Sequence, residues 1–394
     1  MSVKVALVQR VLSPYRVPVF ERFGDLPGIQ LRVFYGKDIK GTKVKSAKKA
    51  GRLDTRVLST ITLQARSTGR AVPLILHPAL LFRMLAFGPR VILAEGNSNV
   101  LNNIPLFLYA KLFRRKIVWW SLGQLPGREY RGLSAIYIRL VRFLEKRADA
   151  WLGYSNRAVN HFRSLGFPED RIFRAVNCID TDRVFDEIAS VGDAAAALRE
   201  KLNLNGRYVV LFVGALEPTK RLDRLFRAFA KLRQTVPNAF LAIVGAGHAR
   251  DELDSLARAL HIEQDTHFAG EVREGVSAWF LLGNAFVLPG LGGLAIPQAM
   301  AHGLPIICGS ADGTEEDYVR DGVTGHILTS ATDDELVDEI AATLRGWATD
   351  PSRAAEMGAA ARRVIEDEFN IHTFVASLRR CVEHFTGPLE ADSK

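Results

Sequence analysis

A chain of 394 residues, 48% hydrophobic and 24% charged, has the composition of a globular protein of about two domains and excludes a disordered one. Its three cysteines, Cys178, Cys308 and Cys381, lack the spacing of a metal site or a disulfide framework, which points to a reducing compartment. The net charge of +9 is unevenly held: residues 1–150 carry 27 Lys and Arg against 8 Asp and Glu, net +19, while the remainder nets −10.

Short apolar runs alternate with amphipathic stretches, the pattern of strand–helix units that builds a parallel, doubly wound sheet. Residues 3–8 read as a first strand, because the apolar run is too short for a signal peptide. A loop ending Ser-Pro-Tyr15-Arg16 follows, then a helix over 17–23 and a strand over 29–35. Residues 37–56 read as a basic, mobile loop; Lys37, Lys40, Lys43, Lys45, Lys48, Lys49 and Arg52 cluster there. The most apolar region, 71–88, is interrupted by His77, Pro78 and Arg83, and no run reaches the ~18 apolar residues of a spanning helix. Strands over 91–94 and 117–120 run into Glu95-Gly-Asn97 and Ser121-Leu-Gly123, with an apolar helix over 104–113 between them. Residues 151–154, Ser155 and Asn177-x-x-Asp180 close the first domain, and the Ala-rich polar stretch 188–197 reads as an interdomain linker. Asp180-Thr-Asp182 is a lone pair of hard ligands without the further acids a metal site needs.

A buried strand over 208–213 opens the second domain and leads into Gly214-Ala-Leu-Glu-Pro218-Thr-Lys220, with Pro218 suited to a first helical position. Leu222, Leu225, Phe226 and Phe229 mark one helical face. A strand over 240–244 is followed by Gly245-Ala-Gly-His248, a glycine turn too weak alone for a nucleotide fingerprint and better suited to helix packing. The chemistry concentrates in 284–325. A strand stopped by Pro289 gives way to Gly290-Leu-Gly-Gly293, then a helix over 294–302 with Pro297 in its first turn, and Gly303 ends it before the next strand. Strand, glycine loop and helix start together can turn backbone N–H groups towards an anion. The sequence closes on an amphipathic helix over 374–385.

Pro289-Gly, Gly293-Leu294, Gln298-Ala-Met-Ala-His-Gly303, Pro305-Ile-Ile and Gly322-Val-Thr-Gly325 resemble the donor-site signature of retaining glycosyltransferases of the group 1 type (family 4), which have the two-lobed GT-B fold. That family's usual glutamate, seven residues, glutamate pattern is degenerate here: Gly290 stands at the first position and Gln298 at the second. Gly-Thr-Glu315-Glu-Asp317-Tyr resembles the Gly-Pro-Glu-x-Glu-Tyr segment of a bacterial branch whose loop reads Pro-Gly-x-x-Gly-Leu. Tyr15-Arg16-x-Pro18-x-Phe20 resembles the opening of many bacterial members, and His267-Phe-Ala-Gly-Glu-Val272 the segment that meets the nucleotide base. Two further departures are Leu122, where Trp-Gly-His-Gly supplies a histidine, and Ala215, where an arginine shares the diphosphate with the lysine matched by Lys220. Arg221, Arg273 or Arg16 could supply the missing cation.

The resemblance implies an α/β chain of two Rossmann-like doubly wound domains facing across a cleft: 1–187 with a returning last helix at 372–388 on the acceptor side, and 188–371 on the nucleotide-sugar side. It implies retaining transfer from a nucleotide-diphosphate sugar to a glycan or lipid-linked acceptor, with no cofactor and no metal. The donor would meet Gly214, Lys220, Val272, Gly290, Gly292, Gly293, Leu294 and Gln298, with Lys220 and Gln298 as the catalytic pair; Tyr15, Arg16, Glu95 and Gly123 are the acceptor-side candidates. Lys220 and the loop amides suit the charge gathering on a departing diphosphate. Gln298 can hydrogen-bond a ribose diol, less strongly than a carboxylate would. The altered contacts keep open a catalytically weakened nucleotide-sugar-binding protein, or a sugar-nucleotide 2-epimerase using Glu95 and the acids at 315–317. The basic first domain, lacking any nucleic-acid motif, suggests a cytoplasmic protein docked on the anionic inner face of the plasma membrane.

Overall fold

The computed structural model describes residues 2–38, 46–67, 70–123, 132–309 and 313–389, and the chain forms two compact units: Met1–Val176 with His372–Lys394, and Asn177–Ile371. Both are parallel α/β sheets wound on both sides, as the alternating strands and helices require. The fold class is the one expected.

Unit 1 runs β1 (Val3–Val11), α1 (Val17–Gly24), β2 (Ile29–Gly36), β3 (Thr55–Leu58), β4 (Ile61–Ser67), β5 (Arg70–Leu76), α2 (Leu80–Phe87), β6 (Val91–Glu95), α3 (Val100–Leu112), β7 (Lys116–Ser121), α4 (Leu133–Glu145), β8 (Ala150–Gly153), α5 (Asn156–Ser164) and β9 (Ile172–Arg174). Seven strands pair in the order β3-β2-β1-β6-β7-β8-β9, all parallel. Their apolar runs show little alternation because both faces are covered: Val5, Ala6, Leu7 and Val8 are all fully buried. Leu80, Met84 and Phe87 of α2 share a core with Leu106, Tyr109 and Ala110 of α3, and Val100 of α3 shares the next with Val141 and Leu144 of α4, so these three helices form one layer. β4 and β5 make an antiparallel hairpin beside the main sheet, Ile61 opposite Leu76 and Ser67 opposite Arg70. This hairpin was not expected; the alternation Ile61-Thr-Leu-Gln-Ala-Arg-Ser67 carries its signal, and Pro73 obscures its partner strand. Of the basic loop expected over 37–56, residues 39–45 lie outside the described residues, and its end, from Thr55, is the edge strand β3.

Unit 2 runs α6 (Thr181–Ser190), α7 (Gly192–Lys201), β10 (Tyr208–Val213), α8 (Leu222–Arg233), β11 (Ala239–Val244), α9 (Arg250–Ala259), β12 (Thr266–Gly270), α10 (Val276–Leu282), β13 (Ala285–Leu288), α11 (Ala295–Ala301), β14 (Ile306–Gly309), α12 (Glu315–Tyr318), β15 (Gly325–Leu328), α13 (Asp333–Thr349) and α14 (Pro351–Asp367). The sheet order is β12-β11-β10-β13-β14-β15, again parallel throughout. Residues 188–197, expected as a linker, are helical instead, spanning the end of α6 and the start of α7. Their alanines are good helix formers, and Ala195 is buried. Thr332 and Glu335 close a reciprocal capping box on α13. A row of ion pairs joins α8 to α13: Arg224 with Asp333, Arg227 with Asp334 and Lys231 with Asp338.

The last helix, α15 (Ile371–Thr386), belongs to unit 1 from His372 onward. Phe374 meets Trp120 at 6.0 Å between ring centroids, His384 meets Phe173 at 5.8 Å, and Leu378, Cys381 and Val382 are fully buried.

Candidate functional site

In each unit the strand order reverses at one place, between β1 and β6 in unit 1 and between β10 and β13 in unit 2. Ligands of open parallel sheets bind beyond the carboxyl ends of the strands at such a reversal, where loops leave in opposite directions and open a crevice.

In unit 2, Gly214 follows β10 and Gly290 follows β13, so the two expected donor loops flank that reversal. A short helical turn, Pro218–Lys220, has Pro218 in its first positions, as expected. It is stitched to the glycine loop. Leu291 N–H donates to Thr219 O at 2.8 Å, and the Lys220 ammonium donates to Leu291 O at 2.6 Å and Gly292 O at 2.8 Å. A Cβ on Gly290 would lie 2.3 Å from Thr219 O and 2.5 Å from the carbonyl carbon of Lys220, so only glycine fits this contact. The glutamate that the resemblance would place at this position has no room for its side chain in this loop geometry. Behind the loop, a Cβ on Gly245 would meet Gly214 O at 1.8 Å, so Gly245-Ala-Gly-His248 packs backbone to backbone against the Gly214 turn. Gly292 faces the buried Glu315, whose Oε2 lies 3.2 Å from where a Cβ would stand.

Leu294 sits immediately before α11, and Gln298 is half-buried within it. Val272 is half-buried just beyond β12, on the far side of β11 from β10. The structure therefore gathers Lys220, Gly290, Gly292 and Gly293 closely, sets Gly214 at the end of the adjacent strand, and leaves Val272 two strands away. Arg221 and Arg273, two candidates for the missing cation, are committed to carboxylates: Arg221 to Asp223 at 3.0 Å and to Asp333, Arg273 to Glu271 at 3.1 Å. A residue missed by sequence reasoning is Arg224, which donates to Pro289 O at 3.5 Å from the first turn of α8 while pairing with Asp333. Burial pushes the Cys308 thiol well above its ordinary range, with Glu315, Glu316 and Asp321 adding to it, so Cys308 stays protonated beneath the loop.

In unit 1, Tyr15, Arg16 and Glu95 lie at the β1/β6 reversal, and Gly123 follows the next strand, β7. Arg16 is nine-tenths buried; its guanidinium donates to Gln9 Oε1 and lies 5.1 Å from the Trp120 ring and 5.0 Å from Tyr154, with Tyr15 at 5.5 Å. Burial pushes the Tyr154 phenol up, and the neighbouring Arg16 offsets this only in part, so the pair is a cation against a neutral phenol. Glu95 ends β6 and accepts from Arg10 N–H at 2.6 Å. Gly123, at φ +69°, donates its N–H to Ser121 Oγ and accepts from Asn97 Nδ2, both at 3.0 Å. Gln9, fully buried near the end of β1, was not anticipated, because beside Arg10 it reads in the sequence as the polar end of the apolar run. Among the described residues no group of three His, Cys, Asp or Glu is placed to hold a metal ion.

Residues 195–364 match the family "Glycosyl transferases group 1". The chain is 34% identical over 300 residues to the GDP-mannose-dependent alpha-(1-6)-phosphatidylinositol monomannoside mannosyltransferase of Mycolicibacterium smegmatis, covering 73% of this chain and 75% of that one. It is 29% identical over 213 residues to the D-inositol 3-phosphate glycosyltransferase of Kribbella flavida, covering 50% and 49%. Among solved structures, Anabaena HepE in complex with UDP superposes with a TM-score of 0.73 at 18% identity, over 97% of this chain and all of that one. The chain belongs to the group 1 glycosyltransferases, nucleotide-sugar-dependent transferases with the GT-B fold.

Proposed function

We propose that the chain transfers a hexose from a nucleoside-diphosphate sugar, with retention of anomeric configuration, to a glycan or lipid-linked acceptor in the synthesis of a cell-surface glycoconjugate. The observation that carries this reading is the Lys220 ammonium fixed on the carbonyls of a side-chain-free loop at the β10/β13 reversal. As the bond from the anomeric carbon to the diphosphate oxygen breaks, negative charge gathers on the departing phosphate, and a preorganised cation stabilises it most at that moment. Lys220 takes the role a divalent cation would otherwise fill, so the reaction needs no metal or other cofactor. Gln298 hydrogen-bonds the nucleotide ribose. The acceptor hydroxyl enters on the face the diphosphate leaves, and its proton passes to the departing phosphate oxygen.

Unit 1 holds the acceptor. Two relatives carry phosphorylated inositol in their names, and the buried Arg16 guanidinium at the β1/β6 reversal suits an anionic acceptor of that kind. The protein works at the cytoplasmic face of the plasma membrane, held there by its basic first unit. The test is a saturation-transfer NMR screen against uridine, guanosine, adenosine and thymidine diphosphate sugars, GDP-mannose first, followed by the anomeric coupling of the product. Binding of one donor with a product of retained configuration is expected; no donor binding, or an inverted product, refutes the reading.

A further inference from the structure

Eight of the twelve large apolar side chains exposed among the described residues lie on α2, α3 with its following residue, and α4. Those helices form one layer on unit 1, so their outward sides make one surface. Phe82 and Leu85 stand three apart on α2, Leu108 and Leu112 four apart on α3, and Ile136 and Phe143 two turns apart on α4; Leu112 is 76% exposed and Phe82 74%. Single exposed apolar residues are ordinary, but rows at helical spacing on three adjacent helices are an interaction surface. The charges among them have one sign. Arg83, Lys111, Arg114, Arg139, Lys146 and Arg147 are exposed on or beside these helices. The one acidic residue within the three helices, Glu145, is buried against Trp151 and His161. Arg147 lies 3.5 Å from the centre of the Phe143 ring, a cation resting on the apolar side chain beside it.

We infer that the outer side of α2, α3 and α4 is the surface by which the protein sits on an anionic lipid bilayer, its Phe and Leu side chains entering the acyl boundary and its Lys and Arg at the headgroups. This rests on the membrane reading proposed above and locates it on a surface other than the 37–56 segment. Among the described residues the exposed charges on the three helices themselves are all cations, and an apolar face fringed in this way fits a leaflet that is apolar within and anionic at its surface. A second copy is a poor occupant, because a symmetric pairing would set cations against cations. Long Lys and Arg side chains can lay their stems along the apolar surface and keep their charges in the headgroup layer. By contrast, Arg52 in the basic segment is already paired with Asp25 at 2.8 Å.

The experiment is co-sedimentation of the full chain with phosphatidylcholine vesicles, with and without about 30% phosphatidylglycerol. The native chain should sediment with the anionic vesicles and be released at ~0.5 M salt, where the Debye length is ~4 Å. Leu108→Asp with Leu112→Asp, and separately Lys111→Gln with Arg114→Gln and Arg139→Gln, should each lower the bound fraction about tenfold. Lys48→Gln with Lys49→Gln should leave it unchanged. Donor binding in vesicle-free solution should be the same in all of these variants. The inference is overturned if the surface variants sediment like the native chain, if the Lys48 and Lys49 variant is the one that is lost, or if the native chain ignores anionic vesicles. Sedimentation velocity adds a further refuting result, a native dimer that Leu112→Asp makes monomeric, since a second copy would then cover the surface. Vesicle binding with the expected variant pattern, in a chain that binds no sugar nucleotide, would leave this surface standing and remove the proposed transferase.

Discussion

Replacing Lys220 by methionine removes the ammonium and keeps most of the side chain's bulk. The lost group makes two charge-assisted hydrogen bonds, at 2.6 Å and 2.8 Å, to carbonyls of the glycine loop. It also supplies the cation we assign to the diphosphate. A hydrogen bond to a charged group contributes roughly 1.5–3 kcal/mol. Lys220 is half-buried, so solvent screening places its phosphate contact in the lower part of that range. The expected loss in nucleoside-diphosphate binding is about 1.5–2 kcal/mol, a 10- to 30-fold rise in Kd. Because water can replace the ammonium at the loop carbonyls, the melting temperature should move little. Isothermal titration with UDP and GDP, beside a thermal melt, separates the two effects. A Kd within twofold of the native value in a folded variant would take Lys220 out of the donor site. A large fall in melting temperature with unchanged Kd would make it a loop staple only.

Gln298→Glu should fold and bind donor at least as well as the native chain, since the sequence resemblance implies a carboxylate there; loss of binding in titration would mean that α11 presents this position differently. Gly290→Ala should destabilise unit 2 by about 1–3 kcal/mol, because its Cβ would stand 2.3 Å from Thr219 O, and a fall of several degrees in the melt with weakened donor binding checks this. Burial holds the His302 pKa below the ordinary histidine value of about 6.5, with only the bond to Gln298 O and the charge of Glu187 opposing it. The unfolded chain therefore binds the proton first, and the stability tied to neutral His302 is fully present above about pH 6.5 and lost as pH falls through the lower folded value. Denaturant midpoints between pH 5 and 8 should show that slope, and His302→Leu should flatten it.

Both sheets were legible because their strands are apolar on both faces and their helices have one buried stripe, and these patterns survive any detail of packing. The glycine loop was legible as a loop for a different reason: Pro289 stops the strand, and glycines at 290, 292 and 293 leave almost no side-chain bulk. What the glycines do was not. The need for glycine at position 290 comes from the Thr219–Lys220 backbone, which is distant in sequence and adjacent only because β10 and β13 pair. The partners of Arg221 were likewise hidden, since Asp333 lies on α13, more than a hundred residues away. The linker reading failed because an Ala-rich polar run suits both a linker and a solvent-facing helix. The surface of α2, α3 and α4 could not be read at all: Leu108 and Leu112 look like core residues until the fold shows which side of α3 the sheet takes.

The return of α15 to unit 1 makes unit 2 an insertion within a discontinuous domain. During synthesis, residues 177–371 form an uninterrupted segment that can fold as soon as it has been made. Unit 1 has to wait for residues 372–386, although its seven strands are complete by Arg174. Until then the ground that Phe374, Leu378 and Val382 will occupy, including the Trp120 ring, stays open to water. The nascent first unit is thus an unfinished sheet awaiting its last helix, and the basic, apolar domain we assign to lipid is the later of the two to close. A ribosome-stalled chain ending before residue 372 should show unit 2 resistant to protease and unit 1 still open to it.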